Sequence, residues 1–216
     1  MKATSYLIAA LLLCAGCGTD AAAKPRPLLK RVMFVQLVSF VPTDAAYYDA
    51  LDQAAALVSE LGITLELVAE YNASAPVCPT SFAAFWATEN YSCNRVAAQP
   101  YWQRSRTTLV LAAALDGGYF AGMASRTCEP VGGVAVINSK PEARKMTVAI
   151  AHELGHLLGS GHDSGGATNR VPDPPNIMLP DAGRYWSSEL HFSARSKVWV
   201  VQCLTRLQRR YERRRK

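Results

Sequence analysis

The stretch HELGHLLGSGHD, from His152 to Asp163, decides how the rest of this 216-residue chain is read. The chain has four histidines, and three of them, His152, His156 and His162, fall inside this stretch. Histidines four apart lie one turn apart on the same helix face, so one rigid element presents two imidazoles to a metal ion. Glu153, beside the first of them, is placed to reach a water on such an ion without binding the ion itself. Gly159 follows His156 by three residues, where glycine can take the left-handed conformation that ends a helix. The chain can then turn sharply and return His162 as a third ligand. Three protein nitrogens leave one position for water, which describes a catalytic zinc site rather than a closed structural one.

Composition sets the frame. The chain is long enough for one well-buried domain. Half of it is hydrophobic and 19% is charged, so it reads as globular rather than disordered. The net charge of +6 has a local origin: Arg206 to Lys216 holds six Arg and one Lys against one Glu. The remainder is close to neutral, and no specific nucleic-acid face is implied. The tail can touch anionic lipid, polysaccharide or nucleic acid, or it can be the solvated, frayed end of a helix.

The first residues read as an export signal, with Lys2 followed by an apolar run, Leu7 to Leu13, too short to span a membrane. Two processing sites compete. Ala15-Gly16-Cys17 resembles the end of a bacterial lipobox, which would make Cys17 a lipidated N-terminus and tether the chain to a membrane. Cys14 departs from that pattern, which usually has Leu there. Ala21-Ala22-Ala23 fits cleavage by an ordinary signal peptidase instead. Either way the protein is expected outside the cytoplasm, as a cell-envelope lipoprotein or a secreted protein of bacterial type. Four cysteines then remain, Cys78, Cys93, Cys128 and Cys203, and an even number in an oxidising compartment suggests two disulfides with three open connectivities.

Along the chain, Lys30 to Phe40 reads as a buried strand, and Thr43 caps a helix from Asp44 to Leu61 that Gly62 stops. Ile63 to Ala69 alternates as a second strand, and strand–helix–strand implies a parallel right-handed crossover. Ser81 to Thr88 reads as a short helix carrying Phe82, Phe85 and Trp86 into the core. Thr108 to Leu115 is a third strand, ended by Asp116-Gly117-Gly118, with Tyr119 to Ala124 and Val134 to Asn138 as further extended runs. Ser139-Lys140-Pro141-Glu142 has the form of a capping box that opens the metal helix, which runs to about Leu158. Ser160 to Pro180 is mostly loop. A last helix covers Ser193 to Arg210, with Val198, Val201 and Leu204 turned inward. His191, outside the motif, either lines the cleft or lies at the surface. The expected division is a signal at 1–17, a linker at 18–29, a catalytic domain at 30–205 and a basic tail at 206–216.

The pattern His-Glu-x-x-His-x-x-Gly-x-x-His resembles that of the metzincin zinc peptidases. Three flanking features are similar to the adamalysin, or reprolysin, branch. Asp163 directly follows the third histidine, where an acid is expected to steady the loop by hydrogen bonds. Asn176-Ile177-Met178-Leu179-Pro180 resembles the Met-turn, which puts Met178 beneath the metal as an apolar floor; Pro180 stands where other branches place a metal-binding Tyr. Cys128 precedes the zinc helix and Cys203 lies in the final one, a pair the branch usually bridges, which leaves Cys78 and Cys93 as a local clamp. The resemblance covers about residues 30–205. It implies an α/β (α+β) zincin-like domain: a twisted, mostly parallel sheet, a long zinc-binding helix, a C-terminal helix and a small subdomain after the third histidine. It also implies a monomeric zinc-dependent endopeptidase with one catalytic Zn²⁺ on His152, His156 and His162, and Glu153 as general base on a polypeptide substrate. Phe120 to Ala124 resembles the edge strand that pairs with substrate, so Gly122, Met123 and Ala124 are candidates for those backbone hydrogen bonds; an ordinary packed strand is the alternative. Phe34 stands where many relatives carry a calcium-binding Glu, and calcium is not carried over. Arg195 replaces a customary Cys, so one disulfide of the branch is missing. The alternative from another class is a surface binding protein that keeps the zinc fold without turnover; Glu153 argues against it.

Overall fold

A computed structural model describes residues 31–79, 84–113, 122–125, 128–138, 142–163, 176–179 and 190–214. The elements are β1 (Arg31–Ser39), α1 (Ala45–Ser59), β2 (Ile63–Asn72), α2 (Ala84–Ala97), a 3-10 turn (Gln99–Tyr101), β3 (Thr107–Ala112), β4 (Gly122–Ala124), β5 (Val134–Asn138), α3 (Ala143–Leu157) and α4 (Ala194–Arg214). Among the described residues, five strands form one sheet in the order β2-β1-β3-β5-β4. The first four in that order run parallel, and β4 closes the edge antiparallel to β5.

Period-2 alternation explains the layers, because successive side chains of a strand point to opposite faces. Met33, Val35, Leu37, Leu109, Leu111, Ala135 and Ile137 join α1 and α3 in the larger core. Val38, Val110, Ala112, Val134 and Val136 fill the opposite face together with Tyr91 of α2. Both faces of β3 and β5 are therefore buried, as expected for a parallel sheet between helices. In α3, Ile150, Leu154 and Leu157 are wholly buried, each contributing about 1.5–3 kcal/mol relative to exposure.

Helix boundaries correct several expectations. The cap of α1 is Asp44 rather than Thr43: its carboxylate accepts the Tyr47 N–H at 2.9 Å. Gly62 does stop that helix, with φ of +73°. Helix α2 extends to Ala97, well past Thr88, while the side chains of Phe82, Phe85 and Trp86 lie outside those described. The expected capping box does not form: Glu142 is itself the extended N-cap residue of α3, so it cannot be the third residue of the helix. Its carboxylate reaches forward to Lys145 at 2.7 Å instead. Ser139, Pro180, the Asp116-Gly117-Gly118 turn and everything before Arg31, Cys17 included, lie outside the described residues.

The phase of α4 is a further correction at Val198 and Val201, while Leu204 packs against the core as expected. Val198 and Val201 are 55% and 46% exposed, whereas Ser196, Val200 and Cys203 are buried. The cause is covalent: Cys203 is bridged to Cys128, which turns that side of the helix inward. Cys78 and Cys93 form the second bridge, fastening the segment after β2 to α2. Helix α4 stays regular to Arg214, so the basic end continues the helix instead of fraying.

Chain-entropy arithmetic ranks the two bridges. Removing Cys128–Cys203, which spans 75 residues, should lower stability by roughly 4 kcal/mol, and removing Cys78–Cys93, which spans 15, by about 3 kcal/mol. Urea unfolding of the Cys128→Ser/Cys203→Ser and Cys78→Ser/Cys93→Ser variants checks the order. An equal or larger loss from the short loop contradicts it.

Candidate metal centre and active site

The site begins where α3 ends. The Gly159 N–H donates to the His156 carbonyl and the Ser160 N–H to the Gly155 carbonyl, both at 2.9 Å. This paired arrangement is the Schellman closure of a helix, with Gly159 left-handed at φ +109°. A β-carbon on Gly159 would also come 2.6 Å from that of Cys203. Conformation and space both exclude a side chain there. The closure reverses the chain and returns His162 to face the helix.

The three histidine Nε2 atoms then form a triangle with sides of 3.1, 3.1 and 3.2 Å. The Nδ1 of His152 meets the Ile177 carbonyl at 2.7 Å, and that of His156 meets the Ser160 carbonyl at 2.9 Å. A carbonyl only accepts, so each of these Nδ1 atoms carries its proton, and the Nε2 lone pairs point at one another. Tetrahedral zinc with nitrogens at about 2.0–2.1 Å separates them by roughly 3.3 Å; the observed triangle is slightly tighter and of the right size. The three rings are the group of described residues placed to hold a metal ion together. Burial, reinforced by the neighbouring His156, pushes His152 down to about 3. Burial also lowers His156 and His162. All three rings are therefore neutral near pH 7, the form that binds a metal.

Glu153 is buried on the next position of the helix. Burial pushes its carboxyl up to about 8, opposed by a hydrogen bond from the Ala124 backbone. Strand β4 lies directly against it: a β-carbon on Gly122 would stand 2.8 Å from the Glu153 Cγ and 2.9 Å from the Val136 carbonyl. The edge strand and the acid thus touch because Gly122 has no side chain.

Two more segments support the ligands. Met178 is wholly buried, and a β-carbon on Gly155 would meet its Sδ at 2.6 Å. The sulfur packs against the bare backbone of Gly155, one residue before His156. Asn176 holds this turn through its Oδ1, which accepts the Met178 N–H at 2.9 Å. Asp163 is buried; its N–H donates to the Met178 carbonyl at 2.9 Å, and its carboxylate accepts from the Ser193 hydroxyl and, at 3.4 Å, from that of Ser196. His191 is at the surface, with Nδ1 2.7 Å from Glu60, while its carbonyl accepts the Ile177 N–H at 3.1 Å. It is no ligand, yet its backbone steadies the residue that orients His152.

The structure thus brings together His152, His156, His162, Glu153, Gly122, Ala124, Gly159, Asp163 and Met178, all singled out from the sequence. Reading the sequence assigned no role to Gly155, Ser193 and Ser196, and placed Asn176 in the Met-turn without its bonding role. Asn two positions before the Met-turn methionine, and Ser at the start of a helix, are turn and cap signals that could have marked three of them.

No protein-family model matches this chain, and no curated protein matches it. Solved structures do. An archaemetzincin from Methanopyrus kandleri is similar with a TM-score of 0.55 at 19% identity, over 83% of this chain and 98% of that one. The metalloproteinase-II of Bacteroides fragilis is similar with a TM-score of 0.53 at 17% identity, over 81% of this chain and 53% of that one. The chain therefore spans about half of the latter. These likenesses are of fold: the chain has a mixed α/β, metzincin-like fold.

Two measurements test the centre. Zinc-loaded protein should keep one equivalent after desalting, and His156→Ala should keep none; equal retention by the variant would show that the triad is not the site. Gly159→Ala should cost about 3 kcal/mol through strain and overlap with Cys203, read as a lower urea midpoint. An unchanged midpoint refutes the tight turn.

Proposed function

We infer that this chain is a zinc-dependent endopeptidase acting on extended polypeptides. The observation that carries the reading is the convergence of three histidine nitrogens, 3.1–3.2 Å apart, beside a buried carboxyl that touches an edge strand.

A zinc ion on His152, His156 and His162 would supply a Lewis acid for the scissile carbonyl and for the attacking water. Glu153, whose burial favours the neutral acid, would in its ionised form take the proton from that water and return it to the departing amine. Ala124 holds the Glu153 carboxyl in place from its backbone. Strand β4 is at the edge of the sheet, so its outer backbone groups are available to pair with an extended substrate. Gly122, Met123 and Ala124 are the residues assigned to that pairing, Ala124 through its carbonyl because its N–H is held by Glu153. Met178 and Phe192 keep the underside of the helix apolar and closed.

Three features support an adamalysin-like variant of the metzincin framework: the buried Asp163 after the third histidine, the Met178 turn, and the Cys128–Cys203 bridge. Two disulfides and the N-terminal signal-like stretch support an exported enzyme, tethered through Cys17 or released after Ala23.

Digestion of a broad peptide library, read by mass spectrometry, tests the assignment. Cleavage should vanish with a chelator and return with zinc. Glu153→Gln should lower kcat/KM by about 10²–10⁴ while keeping bound zinc. Zinc-loaded protein that cleaves nothing in the library would instead be a binding protein on this fold.

A further inference from the structure

Helix α4 has a stripe at alternating spacings of four and three residues: Ser196, Val200, Cys203, Leu207, Arg210 and Arg214. Such positions share one helix face. The first three are buried against the body. Beyond Cys203 the same face opens to solvent and changes chemistry. Leu207, Arg210 and Arg214, flanked by Arg206, line a groove of about 710 Å³ whose other wall is Cys128–Val131. Arginines four apart on a helix repel one another, and the described lining of the groove holds three arginines and one acid, Glu129. A negatively charged occupant removes that repulsion, and guanidiniums bind carboxylates in a fork geometry.

We propose that this groove is an exosite that holds an acidic, extended segment of the polypeptide substrate; it rests on the peptidase reading above. Continuity with β4 favours a polypeptide. Cys128 follows the end of β4 by four residues, its N–H donates to the His156 carbonyl at 3.0 Å, and the Ser125 hydroxyl reaches Glu129 at 3.2 Å. A strand laid along β4 therefore meets the groove at its Ala124 end. Pro130, Val131 and Leu207 add apolar surface suited to neighbouring side chains. A bilayer fits the groove less well, because the exposed Val198 and Val201, which such a helix would turn toward lipid, lie on the opposite face of α4 from Arg210 and Arg214. Nucleic acid fits less well, because none of the described residues lining the groove is an aromatic on which bases could stack.

Fluorescence anisotropy with the zinc-loaded full chain carrying Glu153→Gln tests this without turnover. The probe is a peptide with a run of Glu between apolar residues, and the control replaces each Glu by Gln. The acidic peptide should bind at least about tenfold more tightly, and added salt should weaken it. Arg210→Glu/Arg214→Glu should abolish the preference with zinc content and urea midpoint unchanged; Arg210→Gln/Arg214→Gln serves if charge reversal impairs folding. Equal binding of the two peptides, or a preference that survives both variants, overturns the proposal. So does arginine-dependent binding of phosphatidylglycerol vesicles or single-stranded oligonucleotide without binding of the acidic peptide. Failure of the wild type to cleave would count against the peptidase reading alone, because this binding is measured in a protein that does not turn over.

Discussion

The backbone reversal at Gly159 is the constraint on which the site depends. His162 reaches the other two rings only because the helix closes there and the chain turns back. The His156 carbonyl accepts the Gly159 N–H at 2.9 Å and the Cys128 N–H at 3.0 Å. Cys128 is bonded to Cys203, and Cys203 occupies the space where a side chain on residue 159 would go. Helix end, turn, final helix and the segment after β4 therefore form a closed circuit, in which a shift in one member displaces the others. Cys128 itself has φ of +69°, a left-handed conformation that costs energy in a non-glycine residue. The bridge and the bond to His156 hold it there.

The remaining supports act on a different part of the site. Asp163 ties the residue after His162 to Met178 and to the start of α4, where the Ser193 hydroxyl also accepts the Ser196 N–H at 3.0 Å. A carboxylate this buried is stabilised by its hydroxyl donors, each such bond to a charged group contributing about 1.5–3 kcal/mol. From the other side, Glu60 at the end of α1 fixes His191, and the backbone of His191 fixes Ile177. The first helix of the chain thus reaches the metal centre through two segments far away in sequence.

Much of this was legible in the residues themselves. The ligand spacing, the strand–helix–strand opening and the glycine at the helix end follow from local rules that the chain obeys. The Cys128–Cys203 pair followed only from the resemblance, since four cysteines leave three pairings open. What local rules could not supply was phase and entry. Val198 and Val201 are apolar at helical spacing, and only the bridge at Cys203 shows that their face is the outer one. The Ser-x-x-Glu pattern before α3 is a good capping signal, yet Glu142 takes the extended cap position itself. Gly155 carries no signal of its role, because the sulfur that needs its missing side chain is on another segment.

A further part of the site leaves little trace in any sequence. The two ring nitrogens whose orientation is fixed bond to carbonyls of Ile177 and Ser160, and every residue offers a carbonyl. Replacing either side chain changes nothing that the histidines contact, provided the backbone path is kept. What the sequence must conserve physically is the means of making that path: small residues at Gly122, Gly155 and Gly159, where a β-carbon would overlap a neighbour, and the Asn176 and Asp163 groups that fasten the turns. The side chains between those points are free to vary with the core they pack. A fold held in common with an archaemetzincin at 19% identity and with metalloproteinase-II at 17% is what such a construction permits. The determinants are few, and most of them work through the backbone.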